Sequence, residues 1–258
     1  MAGHIFQHIQ DFITGLLRPR LLPREAIVID GGAPAAVDPY WSSVVALLHF
    51  DGSNGGAIVD QTGKTWGAFA GAAINTSDKK FGTASLLLDG TADYLQTADH
   101  SDFAFGSGDW TVECFFKETT LGAFTQLVGQ HSTAGESSSQ FILYGASGVL
   151  SLAAYVGSTT YAITGSSSHS SGTWYHVAAV RDGGTLRLFR NGTSIGTVAI
   201  SGSLNDVSEP VSLGALMGGG SPSGGYYMNG RIDDLRITKG VARYTANFTA
   251  PTAAFPDS

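Results

Sequence analysis

The chain has 258 residues, of which 14% are charged and 35 are glycine. That length buries a sizeable core unaided, and the single cysteine, Cys114, excludes a disulfide framework and any multi-cysteine metal site. A net charge of −7, from 14 Lys+Arg against 21 Asp+Glu, lacks the basic patch that phosphate-backbone binding needs, so nucleic acid is excluded as a partner.

At the N-terminus, Ile5, Phe6, Ile9, Phe12, Ile13, Leu16 and Leu17 recur at helical spacing. This predicts one amphipathic helix over residues 4–17, stopped by Pro19. A helix this short needs a surface for its stripe, either this chain's own body or a partner protein. A membrane surface suits it less, because its polar face carries no Lys or Arg. The basic residues Arg18, Arg20 and Arg24 follow the apolar ones, the reverse of a signal peptide, and no run of about 18 apolar residues spans a bilayer. Ile5, Ile9, Phe12 and Leu16 also follow the 4-3-4 spacing of a coiled-coil seam. A homo-oligomer assembled through this segment is therefore expected, with a trimer favoured over a dimer. Residues 1–25 thus read as a docking segment and 26–43 as a Pro- and Gly-containing linker around one short strand, Ala26 to Ile29.

From Val44 the hydrophobic period becomes two, and residues 44–258 read as one β domain. Strands are expected at Val44 to Phe50, Ser85 to Leu88, Tyr94 to Thr97 and Trp110 to Phe116, the last with Trp110, Val112, Cys114 and Phe116 on its buried face. More follow at Gln140 to Tyr144, Leu150 to Tyr155, Thr159 to Ile163, Trp174 to Arg181, Thr185 to Arg190, Ser194 to Ile200, Val211 to Leu213 and Arg231 to Thr238. Asn191-Gly192 marks a hairpin. About a dozen short strands joined by glycine turns predict an all-β, two-sheet antiparallel jelly-roll sandwich. Its edges are expected to be shielded by polar side chains such as Lys117 and Arg187.

Five blocks carry a family resemblance: Leu86 to Gly90 with Asp93-Tyr94-Leu95, Asp109 to Glu113, Thr173 to Ala178, Leu186 to Gly192, and Asn229 to Ile237. Their order resembles the laminin-G-like domains of the concanavalin A-like superfamily, which implies a jelly roll of two curved sheets. The flanks, Ala26 to Gly32 with Asp38 to Trp41 and Leu47 to Gly52, and Arg236 to Thr245 with Phe248 and Pro251, look like those of laminin-G-like domains in tailed-phage and prophage structural proteins. This second resemblance implies a non-enzymatic virion protein, a decoration, fibre or tail component on the particle surface, joined to other virion proteins through the N-terminal helix. The alternative is a carbohydrate-binding adhesin module that engages a host glycan.

Related domains often hold a structural calcium, and the positions that match are Asp51, Asp89 and Asp233; Asp51 and Asp89 also suit the Asp-Gly turns in which they sit. For a glycan, Tyr226 and Tyr227 after the Gly218 to Gly225 loop are the candidates, since a sugar's C–H face stacks on aromatic rings; Tyr144, Tyr155 and Tyr161 recur in the central strands. A third reading, glycoside hydrolysis, has only Glu113 and Glu118 to offer. That segment places Phe115 where related hydrolases carry an aspartate, and a solvated strand face is the expectation for it. His131 and His169 read as solvated loop residues.

Overall fold

The structure is a computed structural model and describes residues 37–258. The expected N-terminal helix, its seven apolar residues and the strand at 26–29 lie outside the described residues. No helix among the described residues is long and apolar enough to cross a membrane.

Seventeen strands follow in chain order: β1 (Val44–Leu48), β2 (Gly67–Phe69), β3 (Ala73–Asn75), β4 (Ser85–Asp89), β5 (Tyr94–Thr97), β6 (Trp110–Glu118), β7 (Thr125–Gln130), β8 (Phe141–Ala146), β9 (Val149–Val156), β10 (Thr159–Ser168), β11 (Tyr175–Asp182), β12 (Thr185–Arg190), β13 (Thr193–Ala199), β14 (Val211–Leu213), β15 (Ala215–Gly218), β16 (Ser221–Tyr227) and β17 (Asn229–Lys239). All the strands expected from alternation in the described region form. β2, β3, β7, β15 and β16 come in addition, and the only helical pieces described are three single 3-10 turns.

The strands build two antiparallel sheets. One has eight strands in the order β13-β12-β11-β6-β17-β4-β3, with β1 also pairing to β17. β17 is its spine: one edge pairs along β6, while the other pairs first with β4 and then with β1. The second sheet has seven strands in the order β10-β9-β8-β7-β14-β5-β2, and β15 and β16 form a separate ribbon that touches β7. The core lies between the sheets. Trp110, Val112, Cys114 and Phe116 of β6 all enter it, as the alternation of that strand predicts, and meet Phe141, Leu143 and Leu152 from the other sheet. Asn191 and Gly192 both adopt positive φ, 49° and 77°, the requirement of the type I′ turn that joins β12 to β13.

The outer face of the eight-stranded sheet is covered by its own chain. Residues 240–255 cross it, with Tyr244 stacked on Phe248 at 3.6 Å, Phe248 and Tyr244 packed on Phe189, and Phe255 on Phe115. Asp38 belongs to this layer and not to a linker, since it is buried and ion-paired to Arg236 and Arg243. The expected edge shields are placed differently. Lys117 lies on the central strand β6, paired to Asp78, and Arg187 lies one strand in from the edge, paired to Asp182.

Candidate functional site

The two sheets differ in charge. No strand of the seven-stranded sheet, and neither strand of the β15–β16 ribbon, contains Asp, Glu, Lys or Arg, whereas β6, β11, β12 and β17 are rich in them. On the outer face of the seven-stranded sheet the register brings Thr160, Tyr155, Tyr144, Gln126, Ser212 and Gln96 to the same side. Gln126 and Ser212 are buried and bond each other at 2.6 Å, while the others are hydroxyl, amide and aromatic groups of the kind that bond and stack on neutral polar ligands.

The ribbon crosses part of this face. Leu216 of β15 packs on Ile142, Ala153 and Tyr155, with Phe124 and Tyr144 against the same cluster. Phe124 stacks on Tyr144 at 4.7 Å, and Tyr226 meets Phe124 edge-on at 5.2 Å while remaining 42% exposed. The result is an aromatic ledge with Tyr226 as its open end. Tyr227, the neighbouring residue, is half-buried and serves another pair: Tyr94, whose phenol is raised by burial and by Tyr227, stacks on the exposed Phe69 at 4.5 Å. The two candidate tyrosines therefore belong to two aromatic groups.

Beside the ledge lies a cleft of about 250 Å³ lined by His131, Ser132, Thr133, Gly135, Glu136, Tyr155 and Thr160. Tyr155 is only 7% exposed, and its hydroxyl makes no hydrogen bond among the described residues. Burial, with Tyr144 and then Glu136 nearby, pushes its phenol up to about 12. His131 lies at 5.5 Å from the Tyr155 ring, and burial holds it below the ordinary histidine range. It is partly buried, not a solvated loop residue. Sequence reasoning placed Tyr155 in a central strand but did not join it to His131, because their contact depends on the pairing of β7, β8 and β9.

The hydrolase pair is not assembled. Successive side chains of β6 alternate faces, so Glu113 and Glu118, five apart, point to opposite sides of the sheet. Neither is solvated. Glu118 is buried with His169 at 2.5 Å, so His169 too is a buried partner and not a loop residue in water. Glu113 is buried on the outer face, where it accepts from Nε and Nη2 of Arg236 at 3.0 and 2.8 Å, from Tyr244 Oη at 2.9 Å and pairs with His176 Nε2 at 3.1 Å. Burial alone would raise this carboxyl; the charge of Arg236, then the bond and charge of His176, outweigh it and pull it down to about 2.

The calcium candidates divide. Asp89 is exposed in an Asx turn, accepting from the Thr91 N–H at 2.8 Å, and stands opposite Asn229, four residues along β17 from Asp233. That separation is roughly 13 Å. Among the described residues, no three His, Cys, Asp or Glu side chains gather as a metal group. Asp51 and Asp233 do lie near each other: Asp51 accepts from the Thr83 N–H, while Asp233 Oδ2 accepts from the Lys80 and Phe81 N–H groups. Asp233 Oδ1 is buried with no partner, and burial, with Asp234 and Asp51 adding to it, pushes the carboxyl up to about 7. A buried, unpartnered carboxylate oxygen beside a second acid suits a hard cation, with these two residues as its side-chain donors.

No curated protein matches the chain by sequence. Among solved structures, it is similar to the binding domain of Paraclostridial Mosquitocidal Protein 1 (TM-score 0.61, 16% identity, covering 78% of this chain and 50% of that one). It is also similar to the receptor binding domain of botulinum neurotoxin D (TM-score 0.57, 14% identity, 79% and 51%). A third is from botulinum neurotoxin type C, whose cell entry depends on interaction with two ganglioside molecules (TM-score 0.57, 12% identity, 78% and 49%). The chain thus spans about half the length of these structures, and at such identities the likeness is one of fold. Residues 89–243, more than half of the chain, match the Laminin_G_3 family, and the protein belongs to the concanavalin A-like lectin/glucanases superfamily.

Proposed function

We propose that the domain is a non-catalytic glycan-binding module whose binding surface is the outer face of the seven-stranded sheet. The observation that carries this reading is a sheet face built without a single charged residue, on which an aromatic ledge ending in the exposed Tyr226 adjoins a cleft floored by Tyr155. Rings present C–H-binding surface and the surrounding hydroxyls and amides present hydrogen-bond partners, the two needs of a sugar. Structures similar in fold include the receptor binding domain of botulinum neurotoxin D and a structure from botulinum neurotoxin type C, whose cell entry depends on interaction with two ganglioside molecules, which agrees with this reading. The motifs flanking the domain, similar to those of phage structural proteins, add a setting: a module carried on a particle surface, with residues 1–25 as its attachment segment.

The test is a glycan array probed with the full chain, followed by calorimetry on the best ligand with Tyr226→Ala and Tyr155→Ala. Loss of a ring stacked on the sugar or of a hydroxyl contact in the cleft costs about 1–3 kcal/mol, so each variant should bind roughly ten- to a hundredfold more weakly. Tyr226→Ala, at an exposed site, should keep the wild-type melting curve. A protein that binds no glycan, or one whose binding neither substitution changes, overturns the proposal.

A further inference from the structure

We infer that the Tyr155 cleft is a subsite for an amino sugar, a hexosamine ring whose free, protonated amine meets Glu136; this rests on the glycan-binding reading above. The inference begins with where cations are. Every Lys and Arg of residues 37–258 lies on a strand of the eight-stranded sheet or at Lys64, Lys79, Lys80 and Arg243. From Glu118 to Val180, which includes β7 through β10 and the cleft loop, the chain contains none. A sialic acid, uronic acid or sulfated sugar lying on this face would leave its anion without a counter-charge.

The charges that are present have the opposite sign. Glu136 lines the cleft and makes no ion pair or side-chain hydrogen bond among the described residues. The 3-10 turn Glu136–Ser138 continues from the cleft into an adjoining groove of about 270 Å³, where Ser137 and Ser138 face Asp206 and Glu209. A concave site lined by one sign of charge concentrates ligands of the other sign. Acidity alone would not define a site. Here it borders a cleft lined by Tyr155, a residue only 7% exposed whose hydroxyl has no hydrogen-bond partner among the described residues, together with Thr160 and Thr133. The Tyr155 hydroxyl is free to bond a ligand hydroxyl, and the exposed Glu136 carboxylate is free to pair with a cation. A hexosamine offers both on one ring, hydroxyls for Tyr155 and an ammonium for Glu136.

The experiment is calorimetry of the full chain, below the pKa of the sugar amine, with four probes: glucosamine oligomers, their N-acetylated counterparts, neutral glucose oligomers and sialyllactose. Glucosamine oligomers should bind about fivefold more tightly than the N-acetylated ones, the scale of a solvent-exposed ion pair, and the preference should shrink at high salt. Glu136→Gln, a substitution in an exposed turn, should bring the two ligands to equal affinity. Equal affinity in the wild type, a preference that survives Glu136→Gln, or tighter binding of sialyllactose would each overturn the amino-sugar assignment while leaving glycan binding intact. Failure to bind any of the four, in a protein that binds other glycans on the array, overturns the assignment alone; absence of all glycan binding overturns both readings.

Discussion

Replacing Glu113 with alanine removes the centre of a buried ionic cluster, and its effect should be on folding. Glu113 takes two bonds from Arg236, one from Tyr244 and one from His176, all within about one strand spacing on the outer face of the eight-stranded sheet. In the alanine variant Arg236, itself buried, keeps only its 2.9 Å pair to Asp38, which Arg243 already shares at 2.7 Å. Removing one partner of a buried pair costs about 3–5 kcal/mol. For a domain of this size, roughly 2–4 °C of melting temperature accompanies each kcal/mol, so the loss should be about 6–20 °C. The pH dependence gives an independent check. The Glu113 carboxyl is depressed to about 2 in the folded protein against 4.5 ordinarily, so its contribution is fully present above about pH 4.5 and is lost as pH falls towards 2. Wild-type stability should therefore fall across that window more steeply than that of the variant. Thermal melts followed by circular dichroism read both quantities. Glu113→Ala with Arg236→Ala should cost less than the sum of the single changes, because the second removes the charge stranded by the first. A melting temperature within about 2 °C of wild type, or strict additivity, would refute the staple role.

Three further outcomes are expected, two from the geometry and one from the sequence of the N-terminal segment. Gly192→Ala should cost well over 1 kcal/mol in urea unfolding, because φ is +77° and a Cβ there would lie 1.9 Å from the Phe248 carbonyl oxygen; wild-type stability would contradict it. Millimolar calcium should raise the melting temperature of the wild type and not of Asp233→Asn, and an unchanged curve in chelator and in calcium rejects a stabilising ion at Asp51 and Asp233. Light scattering should show an oligomer for the full chain and a monomer for residues 36–258, a start chosen because a cut at Val44 would discard the Asp38 pairs to Arg236 and Arg243; a monomeric full chain, or an oligomeric truncation, defeats assembly through the N-terminal segment.

Much of the sandwich is legible in sequence because its signals are local. The alternation of β6 assigns Trp110, Val112, Cys114 and Phe116 to the core with no knowledge of their partners, and Asn191-Gly192 fixes a turn by the conformations those two residues tolerate. What escapes has a physical reason in each case. β2 and β3 are three residues long, too short for a period, and β16 begins in a stretch of Gly, Ser and Pro that reads as loop until β15 pairs with it. The Glu113 cluster joins residues 38, 113, 176, 236, 243 and 244, contacts that sequence spacing cannot announce. Glu113 and Glu118 were expected to be solvated because charged residues on a strand ordinarily mark its wet face; here the chain's own C-terminal segment covers that face, and Glu118 turns inward with His169. One signal was open to inspection. Between Thr119 and Val180 the only Asp, Glu, Lys or Arg is Glu136, and that gap in charge runs through β7 to β10, of which β9 and β10 contribute Tyr155 and Thr160 to the cleft.

The contrast between the two outer faces bears on which one meets a partner. On the eight-stranded sheet, charge is abundant but already matched: Glu113, Asp38, Arg236 and Arg243 satisfy one another under Phe255, whose ring lies 4.0 Å from the Arg236 guanidinium. A ligand there would have to displace residues 240–255 and expose those ions singly, at several kcal/mol for each. On the seven-stranded sheet the opposite holds. Its strands carry no formal charge, its ribbon covers only part of the face, and the Tyr155 hydroxyl at the cleft has no hydrogen-bond partner among the described residues. Groups of that kind exchange water for a sugar's hydroxyls at little net cost, so weak, additive contacts can accumulate into binding. Binding on this face also leaves the Glu113 cluster untouched. Glu113→Ala should therefore lower stability while a folded sample retains glycan affinity, and Tyr226→Ala should do the reverse. If both substitutions moved both quantities, the two faces could not be doing the separate work assigned to them.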